Sequence, residues 1–474
     1  MEHKGSRYNI AVDTNDGSGD VLLFNTATSG LMRVDAETYG GVRNLFGEGG
    51  RGLAAGYAPA LPEALDPETT EVLAEAGFVV PAGHDEVAIL RQAYEDARKT
   101  RHLFYTIGTT MACNFACPYC FEEHRPEHMS RETAAAVREF ILEQVHKASA
   151  KSVSINWFGG EPLLNADVMI DLSAQLVQDG ERLGFHYASS VITNGALLTR
   201  DMATRLSAAG IGMAQVTIDG PRDVHDQRRP YKGGQRSYDR IMANLKQAHD
   251  VIAVRVRINI DQENRPHVRQ LLRELGEAGL LHGPHAVSVY GGKLSSYTEL
   301  VEIPGDKLSQ NDLLDLNSPV EDELDRLEAD AEVDKPKSPL LTATRGGCSA
   351  VREYSYVIGS RGQLFKCELG IHDDRQAVGS VHREHEAPPP RRPKQRRLQV
   401  IGSGGGNGGF GSGALPWETY NPYDNDKCGS CQFVPVCKSG CPKAVMDGTA
   451  EEDNEICNYW DDNIGELVRR LAAQ

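Results

Sequence analysis

The stretch Cys113-Asn114-Phe115-Ala116-Cys117-Pro118-Tyr119-Cys120 decides how this chain is read. Its three thiols stand at a three-then-two spacing just after an extended run, Phe104–Thr110. Three thiolates hold three corners of a cubane iron–sulfur cluster and leave the fourth iron bare. A structural zinc site takes four ligands, commonly from paired loops, and this loop offers three with no nearby fourth. A disulfide finds no support, because the start Met-Glu-His-Lys-Gly-Ser-Arg has no apolar core behind its charge and reads as no signal peptide.

At 474 residues the chain has room for two or three domains, and its 40% apolar share is enough for a sizeable core. The formal charge of −17 argues against a nucleic-acid or anionic-membrane partner held by a general basic field. No apolar run approaches the roughly 18 residues of a membrane span. Ten cysteines without an export signal point to metal or redox chemistry in the cytoplasm.

Outward from the cysteine loop, strands and helices alternate. The patterns predict strands over 103–109, 152–158, 188–193, 213–218, 254–260 and 286–290. Helical spacing falls between them, over 131–146, 166–182, 199–209, 238–248 and 266–278. Repetition at this pitch implies a parallel sheet with right-handed crossovers, an α/β fold. Before it, strands are expected at 21–24, 31–34 and 78–80 and helices at 66–76 and 85–99, a small winged-helix-like α+β module over 1–100. After it, 301–345 is an acidic, solvated bridge. Residues 384–413, rich in Pro, Arg and Gly, have almost nothing to bury and read as a disordered insertion.

The cysteine loop, with the aromatic Tyr119 before its last Cys, resembles the radical S-adenosylmethionine (radical SAM) superfamily. The resemblance implies a partial (β/α)6 TIM-type barrel over 101–300, with chemistry at the carboxyl ends of the strands. It implies that S-adenosylmethionine chelates the open iron and that one electron splits it to a 5′-deoxyadenosyl radical.

Other motifs fit that frame. In Gly159-Gly160-Glu161-Pro162 two glycines let backbone approach a ligand closely and an acid follows, a pattern that serves turns as well as sites. It is similar to the family element that holds the cofactor's amino group. Thr193-Asn194-Gly195 is a strong turn signal, and the family places polar contacts to the cofactor's ribose and carboxylate there. Asp219-Gly220-Pro221 leads to His225 and then Arg228-Arg229. A guanidinium clamps a carboxylate by two parallel hydrogen bonds, and the resemblance gives that role to Arg229, with Arg228 able to exchange with it. His225 reads as a packing residue, and Arg257, Asn259 and Asp261 as pocket lining.

Seven further cysteines, over 346–474, are similar to the SPASM domain of radical SAM maturases. The resemblance assigns Cys428, Cys431, Cys437 and Cys457 to one auxiliary 4Fe–4S cluster and Cys348, Cys367 and Cys441 to a second. The alternative for these seven is zinc, in sites closed by four cysteines. Pro339–Gly347 holds no eighth cysteine, so the second cluster is expected to keep one iron for another ligand. Glu368 occupies a position similar to the catalytic base of anaerobic sulfatase maturases, and equally suits a solvent-facing loop. The implied function is modification of a ribosomally made precursor peptide by a thioether or carbon–carbon cross-link. The 1–100 module would bind the leader peptide or, equally, serve as a stabilising N-terminal cap with no ligand, and a flavodoxin- or ferredoxin-type donor would supply electrons. The alternatives are a sulfatase-type maturase forming formylglycine and a non-catalytic, zinc-stabilised peptide-binding protein.

Overall fold

The computed structural model describes residues 2–46, 59–62, 65–294, 347–382, 416–438, 440–447 and 455–473. The expected acidic bridge at 301–345 and insertion at 384–413 lie outside the described residues. The described residues divide into two compact units. One comprises 2–99, 347–352 and 416–473, and the other 100–294 and 353–382.

In the first unit, strands β1 (His3–Gly5), β2 (Asn9–Asp13), β3 (Val21–Asn25) and β4 (Leu31–Val34) precede helix α1 (Ala36–Val42). β2, β3 and β4 form an antiparallel three-stranded sheet. Helix α2 (Pro67–Glu75) starts on an Asp66 cap that accepts from Thr69 N at 2.8 Å. Strand β5 (Val79–Pro81) then returns to pair antiparallel with β1. Helix α3 (Glu86–Arg98) follows, capped by Asp85. Sequence patterning had no signal for β2, whose residues 9–12 are all buried rather than alternating. The same unit ends in the helix Glu455–Ala473.

The second unit is built on β6 (His102–Thr110), β7 (Ser152–Gly159), β8 (His186–Thr193), β9 (Ile211–Thr217), β10 (Ala253–Ile260) and β11 (Ser288–Lys293). All five neighbouring pairs are parallel and run in chain order. Helices α4 (Arg131–Ala148), α5 (Ala166–Leu183), α6 (Arg200–Ala208), α7 (Arg222–Arg228), α8 (Tyr238–Ala248) and α9 (Val268–Glu277) connect them. One face of β6 to β10 is apolar and covered. Tyr105, Ile107, Ile155, Trp157, Val191, Val216, Val256 and Ile258 are at most 1% exposed and pack on Ile141, Leu172, Leu206, Leu245 and Leu271 of the helices. Each such side chain stabilises the fold by about 1.5–3 kcal/mol. The opposite face is polar. Thr106, Asn156 and Ser190 stand in register across β6–β8, and Gln215, Arg257 and Tyr290 continue the face. The parallel core therefore resembles a partial barrel with a covered outside and a polar inside.

Three strands extend this sheet beyond the six read from the sequence. β12 (Tyr356–Ile358) adds parallel to β6, and β13 (Gln363–Phe365) and β14 (Gly379–Ser380) follow antiparallel. The expected C-terminal segment 346–474 is thus shared between the units, with 353–382 belonging to the barrel unit. Three-residue strands carry too little periodicity to be read in advance.

Candidate active site

Because the six strands are parallel, everything that follows their last residues gathers at one end. The cysteine loop follows β6, Glu161 follows β7, Thr193–Asn194 close β8, and Asp219 follows β9. The end of β7 clamps the start of the loop. Gly160 N donates to Thr110 O at 3.0 Å and Glu161 N to Ala112 O at 2.9 Å. Both glycines are sterically required. A Cβ on Gly159, at φ +119°, would lie 2.1 Å from Thr110 O, and one on Gly160 would lie 2.4 Å from Ala112 O. The far side of the loop is held by the segment after α7: Ala116 N donates to Pro230 O at 2.9 Å, and the Phe115 and Tyr231 rings meet edge to face at 4.8 Å.

Glu161 is fully buried and joins two strand ends. Its carboxylate accepts from Thr193 Oγ1 at 2.7 Å, Asn194 N at 2.8 Å and Leu163 N at 3.0 Å. Burial nevertheless raises its pKa, with those donors opposing. Asn194 Nδ2 reaches back to Asn114 Oδ1 in the cysteine loop at 2.7 Å. The Asn-Gly turn forms as well, with Asn194 Oδ1 accepting from Ala196 N at 3.0 Å.

Tyr119 is the hub of the other side. Its hydroxyl donates to the buried Asp219, accepts from Arg229 Nη1, and lies 3.4 Å from Asn259 Nδ2. Arg228 and Arg229 both stand over its ring, at 5.3 and 5.9 Å. The two arginines have different duties. Arg228 pairs with Asp261 at 2.8 Å and approaches Asp219 at 3.7 Å. Arg229, 9% exposed, has no carboxylate within ion-pair distance among the described residues, and its charge acts on Cys117. His225 is wholly buried, accepts from Asp219 N at Nδ1, and is held neutral by burial and by both arginines.

The thiols themselves are half-buried and feel one another's charge. Burial pushes Cys113 and Cys120 up to about 12, and raises Cys117 while Arg229 opposes. A metal ligand must be the thiolate, so binding at these three positions would release protons. Among the described residues no three His, Cys, Asp or Glu side chains converge on one ion. In a cubane cluster each thiolate binds a different iron. Soft donors, a missing fourth ligand and a buried cation beside Cys117 together fit such a group.

Two residues escaped sequence reasoning. Asn114 had no motif of its own. Glu122, 8% exposed, has one carboxylate oxygen without a partner, and burial followed by the nearby Glu368 raises its pKa to about 8. Glu368 is not a free loop residue: Thr106 Oγ1, on the polar sheet face, donates to it at 2.7 Å. In the other unit, Cys428, Cys431, Cys437 and Cys457 are electrostatically coupled, and burial raises the first three. Cys348 and Cys441 also belong to that unit, whereas Cys367 belongs to the barrel unit.

Comparison with known proteins agrees with this geometry. Residues 107–302 match the profile of the Radical SAM superfamily, so this region is a radical SAM domain, and the superfamily implies a 4Fe–4S cluster and S-adenosylmethionine. Curated relatives differ in what they do. Over 169 residues the chain is 28% identical to Fe-coproporphyrin III synthase of Methanosarcina barkeri, covering 35% of this chain and 39% of that one. Over 148 residues it is 29% identical to a serine-type anaerobic sulfatase-maturating enzyme of Bacteroides thetaiotaomicron, covering 29% and 35%. Over 183 residues it is 28% identical to the sporulation killing factor maturation protein SkfB of Bacillus subtilis, covering 37% and 40%. The chain therefore spans about two-fifths or less of the length of these three relatives. Among solved structures, "Native anSMEcpe with bound AdoMet and Cp18Cys peptide" has a TM-score of 0.54 at 16% identity, covering 78% of this chain and 99% of that one, which shows a shared fold. Among the described residues no helix is long and apolar enough to cross a membrane.

Proposed function

We propose that this protein is a radical SAM maturase that cross-links a ribosomally synthesised precursor peptide through a thioether or carbon–carbon bond. The observation that carries the reading is the gathering of Cys113, Cys117 and Cys120, the Gly159–Gly160–Glu161 clamp, Thr193–Asn194 and Arg229 at one end of the parallel sheet. The three thiolates would ligate the cluster. Gly160 and Glu161, Thr193 and Asn194 would line the S-adenosylmethionine site beside it, with Tyr119 as its aromatic wall and Arg229 as its cation. When bound, cluster and cofactor supply an electron and a 5′-deoxyadenosyl radical able to take hydrogen from an unactivated carbon.

The chain's own residues supply orientation. Glu161 locks the ends of β7 and β8 so that the loop and the Thr-Asn turn keep one geometry. The polar inner face, with Asn156, Ser190, Gln215 and Tyr290, offers hydrogen-bonding partners to an extended chain. Glu368, tethered to Thr106, is the group to receive a substrate proton. In the other unit, Cys428, Cys431, Cys437 and Cys457 would hold an auxiliary cluster. β4 is an edge strand of the N-terminal sheet among the described residues and suits leader-peptide binding by strand addition. The killing-factor maturation relative supports a peptide substrate. A flavodoxin- or ferredoxin-type partner would reduce the clusters.

A second reading, formylglycine formation on a Cys or Ser, is favoured by the sulfatase-maturating relative and by Glu368. Anaerobic reconstitution with iron and sulfide, then dithionite and S-adenosylmethionine, tests the first step: 5′-deoxyadenosine must form, and Cys117→Ala must abolish it. Mass spectrometry of a Cys-containing peptide then separates cross-link from aldehyde. Roughly twelve irons per chain, for three 4Fe–4S clusters, against one or two zincs decides between clusters and a zinc scaffold.

A further inference from the structure

The three thiols of the loop are not equivalently bonded. Cys113 Sγ accepts from the backbone N–H of Phe115 at 3.4 Å, the neighbour two residues on. Cys120 alone has a side-chain nitrogen at hydrogen-bond distance among the described residues: His124 Nε2, at 3.5 Å. With a free thiol the direction of that bond is open, since S–H donates to a bare imidazole nitrogen as readily as N–H donates to sulfur. A cluster removes the choice. A thiolate bound to iron has no proton, so the bond forms only if Nε2 carries the hydrogen and donates. We propose that His124 is a positioning residue for the barrel cluster, whose Nε2–H donates to the Cys120 thiolate and raises the reduction potential.

The sign follows from charge. Reduction adds negative charge that spreads onto the ligating sulfurs, so an N–H···S bond stabilises the reduced cluster more than the oxidised one. Because the donor is a side chain rather than backbone, it is removable without cutting the loop's backbone hydrogen bonds.

The inference rests on the proposed ligation by Cys113, Cys117 and Cys120, and one experiment separates the two. Reconstituted full-length protein is titrated with dithionite under EPR, and the barrel cluster is picked out as the signal that changes on adding S-adenosylmethionine. Absence of any such signal in the unaltered protein overturns the ligation reading and this inference with it. With the signal present, H124L should lower the reduced-to-oxidised ratio at fixed potential about tenfold, equivalent to about 59 mV for one electron. H124Q, which keeps an N–H near the same point, should restore most of it. An unchanged potential in H124L, or an equal fall in both variants, overturns the inference. Should H124L fail to load a cluster, pulsed EPR on protein with 15N-labelled histidine reads the bond directly. A weak nitrogen coupling to the S-adenosylmethionine-responsive signal supports it, and its absence overturns it.

Discussion

The two cysteine-rich regions of this chain present the same side chain in different arrangements. In the loop after β6, three thiols lie on one short segment, and the surroundings bring a buried arginine beside Cys117 and a buried carboxylate at Glu161. In the other unit, four coupled thiols come from three separate pieces. Cys428 and Cys431 belong to one piece, Cys437 ends a short helix, and Cys457 lies on the C-terminal helix Glu455–Ala473. Four ligands close a coordination shell, whereas three leave a vertex for chemistry. Even the small devices recur: Phe433 N donates to Cys431 Sγ at 3.4 Å, as Phe115 N does to Cys113. What differs is the number of thiols and the polar groups gathered around the loop.

The sharpest way to break that contrast is to remove one thiol from each region. Cys117→Ala should reduce 5′-deoxyadenosine formation by more than about 100-fold, beyond what loss of a supporting residue costs a metal site. Cys431→Ala should remove roughly four of twelve irons yet leave uncoupled 5′-deoxyadenosine release measurable by chromatography. If both variants behave alike, the division into an open and a closed centre fails. Next in size is Gly160→Ala. Its Cβ would press on the Ala112 carbonyl, so the loop must shift, costing about 1–3 kcal/mol by thermal or urea unfolding. Deoxyadenosine yield should fall with it, while the iron bound by the C-terminal cysteines stays.

A pH effect is expected on the barrel side. His225 is held neutral in the fold, with a pKa well below its ordinary 6.5. Above pH 6.5 it contributes fully to stability. As pH falls below 6.5 the unfolded chain gains a proton that the folded site refuses, and stability drops by up to about 1.4 kcal/mol per pH unit. Urea titrations of His225→Gln should lack that slope. The smallest expected effect is Asn114→Ala, which removes the acceptor of Asn194 Nδ2. About 1 kcal/mol of stability should be lost, with weaker S-adenosylmethionine binding by calorimetry and an intact cluster spectrum.

Much of the barrel was legible because long elements repeat their signals. The run 131–146 carries a core-facing spacing that becomes α4, and Ser130 caps it at Thr133 N. The strands over 152–158 and 254–260 show the period of two that one covered face demands. The cysteine spacing and Gly-Gly-Glu-Pro were legible because only particular residue types serve there. Less accessible was who bonds whom. Glu161 turns out to spend its oxygens on Thr193, Asn194 and Leu163, and Arg229 meets the Tyr119 hydroxyl, because strand register rather than sequence distance set those meetings. Glu122 and His124 stand in a charged loop, Glu122–Glu127, that has no periodicity. Burial gives them significance, and burial is a property of the whole fold. β12 to β14 stayed hidden for the opposite reason, being too short to announce themselves.

That late addition has a temporal consequence. β6, the strand that presents the cysteine loop, finds its outer neighbour β12 nearly 250 residues downstream. A ribosome adding roughly 5–20 residues per second takes on the order of tens of seconds between the two. Throughout that interval the first barrel strand offers an unpaired rim to any other nascent chain, a known route to misassembly. Slow translation without a chaperone should therefore yield aggregates enriched in chains halted before residue 356, and supplying 353–382 as a separate peptide during synthesis should suppress them.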